Sequence, residues 1–184
     1  CSQVGFTTMF AKNHLLLFSE YVLTYLLAWS PVLWEELEVK SEVLKDFVSG
    51  LTDVQKLFAN LPVYMIFDDH DITDDWNINN YWQTQIQPLG QQVLSNGLSA
   101  GFFFQAWGND PKNFLDGEGL VFKESLKDYA AHLLQVQPYD SSHVRKILSH
   151  RVNWSYQVRY DEIAYVVMDT RTHRHLGGQY GELS

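Results

Sequence analysis

The stretch Pro62-Val63-Tyr64-Met65-Ile66-Phe67-Asp68-Asp69-His70-Asp71-Ile72-Thr73-Asp74-Asp75-Trp76-Asn77 changes character in a single step. Residues 62–67 are apolar, with β-branched and aromatic side chains and no alternation. Such a run predicts a short central strand covered on both faces. Residues 68–75 then hold five carboxylates and one imidazole. In layered folds, ligands collect where strands end, because loops there are fixed by a rigid sheet yet reach solvent. Crowded carboxylates repel one another and call for a compensating cation. Carboxylate and imidazole donors suit hard or borderline metal ions. The same run also suits a solvated loop, with Asp71 or Asp74 capping a short helix.

Upstream, residues 13–29 read as a helix with apolar residues on all sides. Pro31 can open a second helix that ends near Gly50, and Thr52 is a candidate N-cap for a short helix to Asn60. Downstream, residues 89–107 predict a helix in which Gly97 and Gly101 allow close packing at some cost in propensity. Gly108-Asn109-Asp110-Pro111 ends it. Residues 124–136 and 143–150 predict two further helices. Residues 152–160 alternate, residues 163–168 are apolar, and Asp161-Glu162 between them predicts a tight hairpin. The fold class expected is α/β (α+β), one unit with a helical insertion between strands.

The net charge of −9 argues against a nucleic-acid-binding module, which needs a basic footprint. The single cysteine, Cys1, rules out an internal disulfide framework. Residues 15–34 are apolar enough to suggest a membrane span, but Ser19, Glu20, Ser30 and Pro31 interrupt them, so a buried amphipathic helix is expected instead. No signal-peptide pattern is visible, and the sequence does not specify a compartment.

The segment 64–77 resembles the signature of PhoD-like alkaline phosphatases and phosphodiesterases: an aromatic residue, Asp-Asp-His-Glu, a small aliphatic residue, then Trp and Asn. Asn13-His14-Leu15, Phe18-Ser19-Glu20 and Leu27-Ala28-Trp29-Ser30 are similar to the helical segment before that signature. Val167-Met168-Asp169-Thr170-Arg171-Thr172 is similar to the hydrophobic-Asp-Thr-Arg strand end after it. Trp107-Gly108-Asn109-Asp110-Pro111 is the matching point of the middle.

The resemblance implies a calcineurin-like metallophosphatase sandwich, two packed sheets flanked by helices. Two divalent or trivalent metal ions (calcium, iron, manganese or zinc) would sit at the strand ends, with a phosphate ester as substrate. Asp69 then takes a metal-binding place, with Asp68 beside it. His70 takes the place of the histidine that stabilises the transition state or protonates the leaving oxygen. Asp71 takes the acidic place that orients His70 through its second ring nitrogen. Arg171 and Asn77 are the candidate substrate contacts, Arg171 because its fork of donors fits phosphate. Residues 1–184 are expected to be an internal part of such a domain. They contain no Gly-Asp element before Asp68 and no Gly-His-x-His element after Arg171. The second function expected from the same residues is a phosphatase-like binding or regulatory module that holds no metal. His14, His173 and His175 are expected to be packing or solvated histidines, and Trp76 and Trp82 to be packed or to flank a cleft.

Overall fold

The structure is a computed structural model that describes residues 6, 8, 11–134, 141–150 and 152–174. It mixes helices with one two-stranded antiparallel sheet, an α+β arrangement. Helix α1 spans Phe18–Trp29, α2 Glu42–Asn60, α3 Tyr81–Thr84, α4 Pro88–Gly101, α5 Trp107–Asn109, α6 Gly117–Leu134 and α7 Ser141–Leu148. Strands β1 (Tyr156–Tyr160) and β2 (Ile163–Val167) pair with Tyr156 opposite Val167 and Tyr160 opposite Ile163. Asp161 takes the positive φ of their connection, at 53°. Aspartate tolerates that region better than most residues, so the expected hairpin forms where the sequence placed it.

Helix α4 is the centre of the packing. It is buried almost continuously from Val93 to Gly101 and touches α1 on one side and α7 on the other. A helix covered on all sides must satisfy its polar residues internally. Ser99 Oγ donates to the Ser95 carbonyl at 2.6 Å. Asn96 Nδ2 donates to the Leu16 carbonyl at 2.8 Å, and Tyr129 of α6 donates to Asn96 Oδ1 at 2.7 Å. The glycines serve close approach, as their spacing suggested. A Cβ on Gly97 would lie 2.6 Å from Ile72 Cγ1, and one on Gly101 would lie 2.9 Å from the Phe67 ring. These two contacts press the residue before the acidic run, and the middle of the run, onto α4. Gly97→Ala is therefore expected to destabilise by about 1–2 kcal/mol, because overpacking outweighs the gain in helix propensity. In an Ile72→Ala background the same change should lose most of its cost; urea denaturation of the four proteins in this cycle tests it.

Three elements differ from the sequence expectation. Residues 62–67 form neither helix nor strand and pair with no strand among the described residues. Instead Asn109 takes the backbone of Met65. Its Oδ1 accepts from Met65 N at 3.0 Å and its Nδ2 donates to Met65 O at 2.6 Å, which also accepts from Tyr156 OH at 2.7 Å. Only Phe67 is fully buried; Val63, Tyr64 and Ile66 are 39%, 40% and 40% exposed, so the segment is not covered on both faces. Helix α2 runs unbroken through Gly50 and Thr52 from an N-cap at Ser41, with only a 3₁₀ turn, Val32–Glu36, after Pro31. Thr52 is thus an interior residue, and nineteen helical positions with one amphipathic face outweigh the cost of one glycine.

Helix α1 begins at Phe18, later than expected. Glu20 Oε2 accepts the N–H groups of Leu16 and Leu17 at 2.7 and 2.9 Å, which ends the helix there and explains a glutamate in an apolar run. Those bonds hold its carboxyl below the usual range. The helix is only half covered: Phe18 and Tyr21 are buried while Leu23 and Leu26 are exposed. Among the described residues no helix is long and apolar enough to cross a membrane.

Candidate metal and phosphate site

Asp68 opens a single 3₁₀ turn, Asp69–Asp71, directly after residues 62–67. Its Oδ1 accepts from Asp69 N at 2.8 Å, and Asp71 Oδ2 reaches back to Asp68 N at 2.9 Å. This reciprocal cap forces three consecutive side chains to leave the backbone in different directions.

Asp69 points inward and is buried. Its Oδ2 accepts from Asp75 N at 2.8 Å, and its Oδ1 lies 2.8 Å from Arg171 Nη2. Burial is the main influence that raises its carboxyl, with the Asp68 hydrogen bond acting in the same direction; the Asp75 amide and Arg171 oppose. The carboxyl of Asp68, largely exposed, is lowered chiefly by its bonds to Asp69, with Arg171 adding to the effect. The loop can fold back because Asp75 and Asn77 adopt positive φ, 61° and 57°, as Asp and Asn do at least cost.

Arg171 arrives from the end of the hairpin. Asp169 shapes its turn by accepting from Arg171 N and Thr172 N at 2.9 Å each, and from the Thr172 hydroxyl. Each of the three guanidinium nitrogens has a protein partner. Nη2 meets Asp69, Nε is 3.4 Å from Asp68 Oδ1, and Nη1 donates to the Trp76 carbonyl at 3.4 Å. Asn77 is buried and its Nδ2 donates to the Arg171 carbonyl at 2.6 Å. Both residues expected to contact substrate are therefore turned to the acidic loop, where they hold the hairpin end against it. The charge that attracts Arg171 is the pair Asp68–Asp69, not Asp161, Glu162 or Asp169.

His70 is exposed, and its Nε2 lies 3.5 Å from Asp74 Oδ1. The expected pairing of His70 with Asp71 is not formed. Asp71 Oδ1 instead accepts from Tyr25 OH at 3.2 Å and from Gln105 Nε2 at 2.9 Å. Burial, and then the charge of Asp71, raise the Tyr25 hydroxyl well above its ordinary range. Gln105 lies in the one-turn π-helix Phe102–Ala106 that interrupts the α4–α5 run. Such a turn re-aims side chains, and here it turns an amide toward Asp71. His70 and Asp71 line a cleft of about 530 Å³ between α1, which contributes Trp29, and residues 65–66, with Gln105 also in its lining.

Asp69, His70 and Asp74 can each offer one atom such that all three lie within 4.8 Å of one another. Ligand bonds of roughly 2.0–2.4 Å put any two atoms on one ion no more than about 4.8 Å apart, so the three atoms meet a necessary condition for sharing one. The donor set fits a single divalent cation with open positions. It does not fit two ions among the described residues, since each needs about four to six ligands. Arg171 competes for Asp69 Oδ1, so an ion would displace or share that contact.

Asp74 is the residue that sequence reasoning passed over as a functional partner. Its i,i+4 spacing from His70 was the available signal. Gln105, a polar residue inside Phe102-Phe103-Phe104-Gln105-Ala106-Trp107, was another. The remaining residues are held within the fold: Trp76 and Trp82 are buried, the His14 ring lies tilted against Phe6 with centroids 5.0 Å apart, and His173 meets the Val152 carbonyl. His175 lies outside the described residues. Compared with family models, curated proteins and solved structures, the chain finds no match in any of the three.

Proposed function

We propose that this chain carries the motif-bearing part of a PhoD-like metallophosphatase that hydrolyses phosphate monoesters or diesters, within a calcineurin-like sandwich. One observation carries the reading. The two runs that bear the resemblance, Asp68-Asp69-His70-Asp71 and Asp169-Thr170-Arg171, lie about a hundred residues apart in sequence yet meet through a 2.8 Å ion pair. Asp69, His70 and Asp74 would hold metal or flank it, and bound metal supplies charge neutralisation and an activated water for attack on phosphorus. His70, exposed at the mouth of the cleft, is placed to give a proton or hydrogen bond to the departing oxygen. Arg171 fixes the orientation of Asp69 and is a positioning residue in this arrangement.

A second reading has its own support. A guanidinium already stands on Asp69 where a metal ion would compete, as in a phosphatase-like module that works without metal. Metal titration separates the two. This chain is expected to bind one divalent ion weakly, with a dissociation constant on the order of 10⁻⁴ M or above, the range of open, few-ligand sites. Calorimetry with manganese and calcium, alongside hydrolysis of bis(p-nitrophenyl) phosphate and p-nitrophenyl phosphate by the protein that contains the chain, is the test. Hydrolysis that depends on added metal and is lost in Asp69→Ala supports the phosphatase. Metal-independent inertness toward both esters supports the module. Two tightly held ions would mean that the ligands have been misassigned.

A further inference from the structure

The cleft beside His70 has more structure than a proton donor alone requires. Its walls include Leu15, Ala28, Trp29, Met65 and Ile66, and its floor is the Tyr25–Asp71–Gln105 network. Gln105 is nine-tenths buried. Its Nε2 donates to both Tyr25 OH and Asp71 Oδ1 at 2.9 Å, while its Oε1 is buried with no partner among the described residues. Rotating the amide would set that oxygen against the Asp71 carboxylate, so the orientation is fixed by charge. A cleft of about 530 Å³ with these apolar walls and the Tyr25–Asp71–Gln105 network beside them has the size and make-up of a small-molecule site.

We infer that this cleft receives the alcohol side of the substrate, and that the alcohol is aromatic. The inference rests on the phosphatase reading for the phosphoryl half and on the cleft alone for the organic half. An aryl ring between Trp29 and the Met65–Ile66 backbone would place its ester oxygen toward His70 at the rim. Tyr25 is stacked on Phe104 at 4.8 Å and hydrogen-bonded to Asp71, so the aromatic side of the cleft is held in place before any ligand arrives.

The test is binding, measured by calorimetry on the chain with 1-naphthyl phosphate, methyl phosphate and 1-naphthol. Naphthyl phosphate is expected to bind at least about tenfold more tightly than methyl phosphate, from the apolar area it buries. Ala28→Phe, which narrows the cleft from a half-buried helix position, should bring the two within about twofold. Equal binding of naphthyl and methyl phosphate, or a preference that survives Ala28→Phe, would overturn the inference and leave the phosphatase reading standing. If naphthol binds as tightly as naphthyl phosphate, the cleft is upheld as an aryl site and the phosphoryl reading loses its support.

Discussion

Replacing Arg171 with methionine is expected to lower the stability of the protein by about 3–5 kcal/mol, the usual cost of removing one partner from a buried ion pair. The side chain of Arg171 is 19% exposed and that of Asp69 is 5% exposed, so water cannot compensate the carboxylate left behind. The arm toward Asp68 should add little, since Asp68 is 62% exposed and its charge is screened. The position of Asp69 also depends on this pair, together with the Asp75 amide on its other oxygen. Neutralising the orphaned carboxylate should therefore restore much of the loss. Arg171→Met with Asp69→Asn is expected to recover at least about half of it, as an asparagine oxygen can still accept from Asp75 N. Urea denaturation of the wild type, both single variants and the double variant measures the coupling. A cost under about 1 kcal/mol for Arg171→Met would show that the hairpin end is held by other contacts, and that the two motif runs meet without needing each other.

The second large effect belongs to His70. In the protein that contains this chain, His70→Asn is expected to lower turnover by roughly a hundred-fold or more, the scale for one general acid or transition-state donor. The loss should shrink for nitrophenyl esters, whose leaving oxygen needs little protonation. Metal content should stay unchanged if His70 serves the leaving group. Asp69→Ala should instead lower metal content and remove activity on all substrates alike. The geometry supplies a rival that the experiment separates. His70 belongs to the same cluster as Asp69 and Asp74, so it is also within reach of a shared ion. If His70→Asn releases metal as Asp69→Ala does, His70 is a ligand and the cleft lacks its proton donor. Asp74→Asn adds a further distinction. As a partner that fixes the imidazole it should lower turnover modestly, about ten-fold, with metal retained; as a ligand it should lower metal affinity.

The local chemistry of this protein could be read from the sequence, because it depends on neighbours in the chain. The switch from apolar to acidic after Phe67 marks a real boundary: Phe67 is packed on α4 and Asp68 starts the capped turn. The hairpin around Asp161-Glu162 was fixed by alternation and by a residue suited to positive φ. Gly97 and Gly101 were legible as points of close approach, since a glycine kept inside a helix at a cost in propensity needs a neighbour to justify it. The direction of each acidic side chain was not legible. A one-residue difference in a 3₁₀ turn sends Asp69 toward Arg171, His70 to the cleft mouth and Asp71 to Tyr25 and Gln105, and no periodicity encodes that fan.

Residues 62–67 show the same limit from the other side. Their composition specifies an extended, apolar segment, but being a strand is a property of partners, and here the Asn109 amide occupies the backbone of Met65 in place of a neighbouring strand. The sequence by itself determined which residues could carry charge, bend the chain or pack closely. Only the tertiary structure decided that Arg171 would spend its fork on Asp68 and Asp69, and that Asp74, not Asp71, would face His70. Those choices are settled by long-range electrostatics and by the space left against α4, energies that no local window of residues contains.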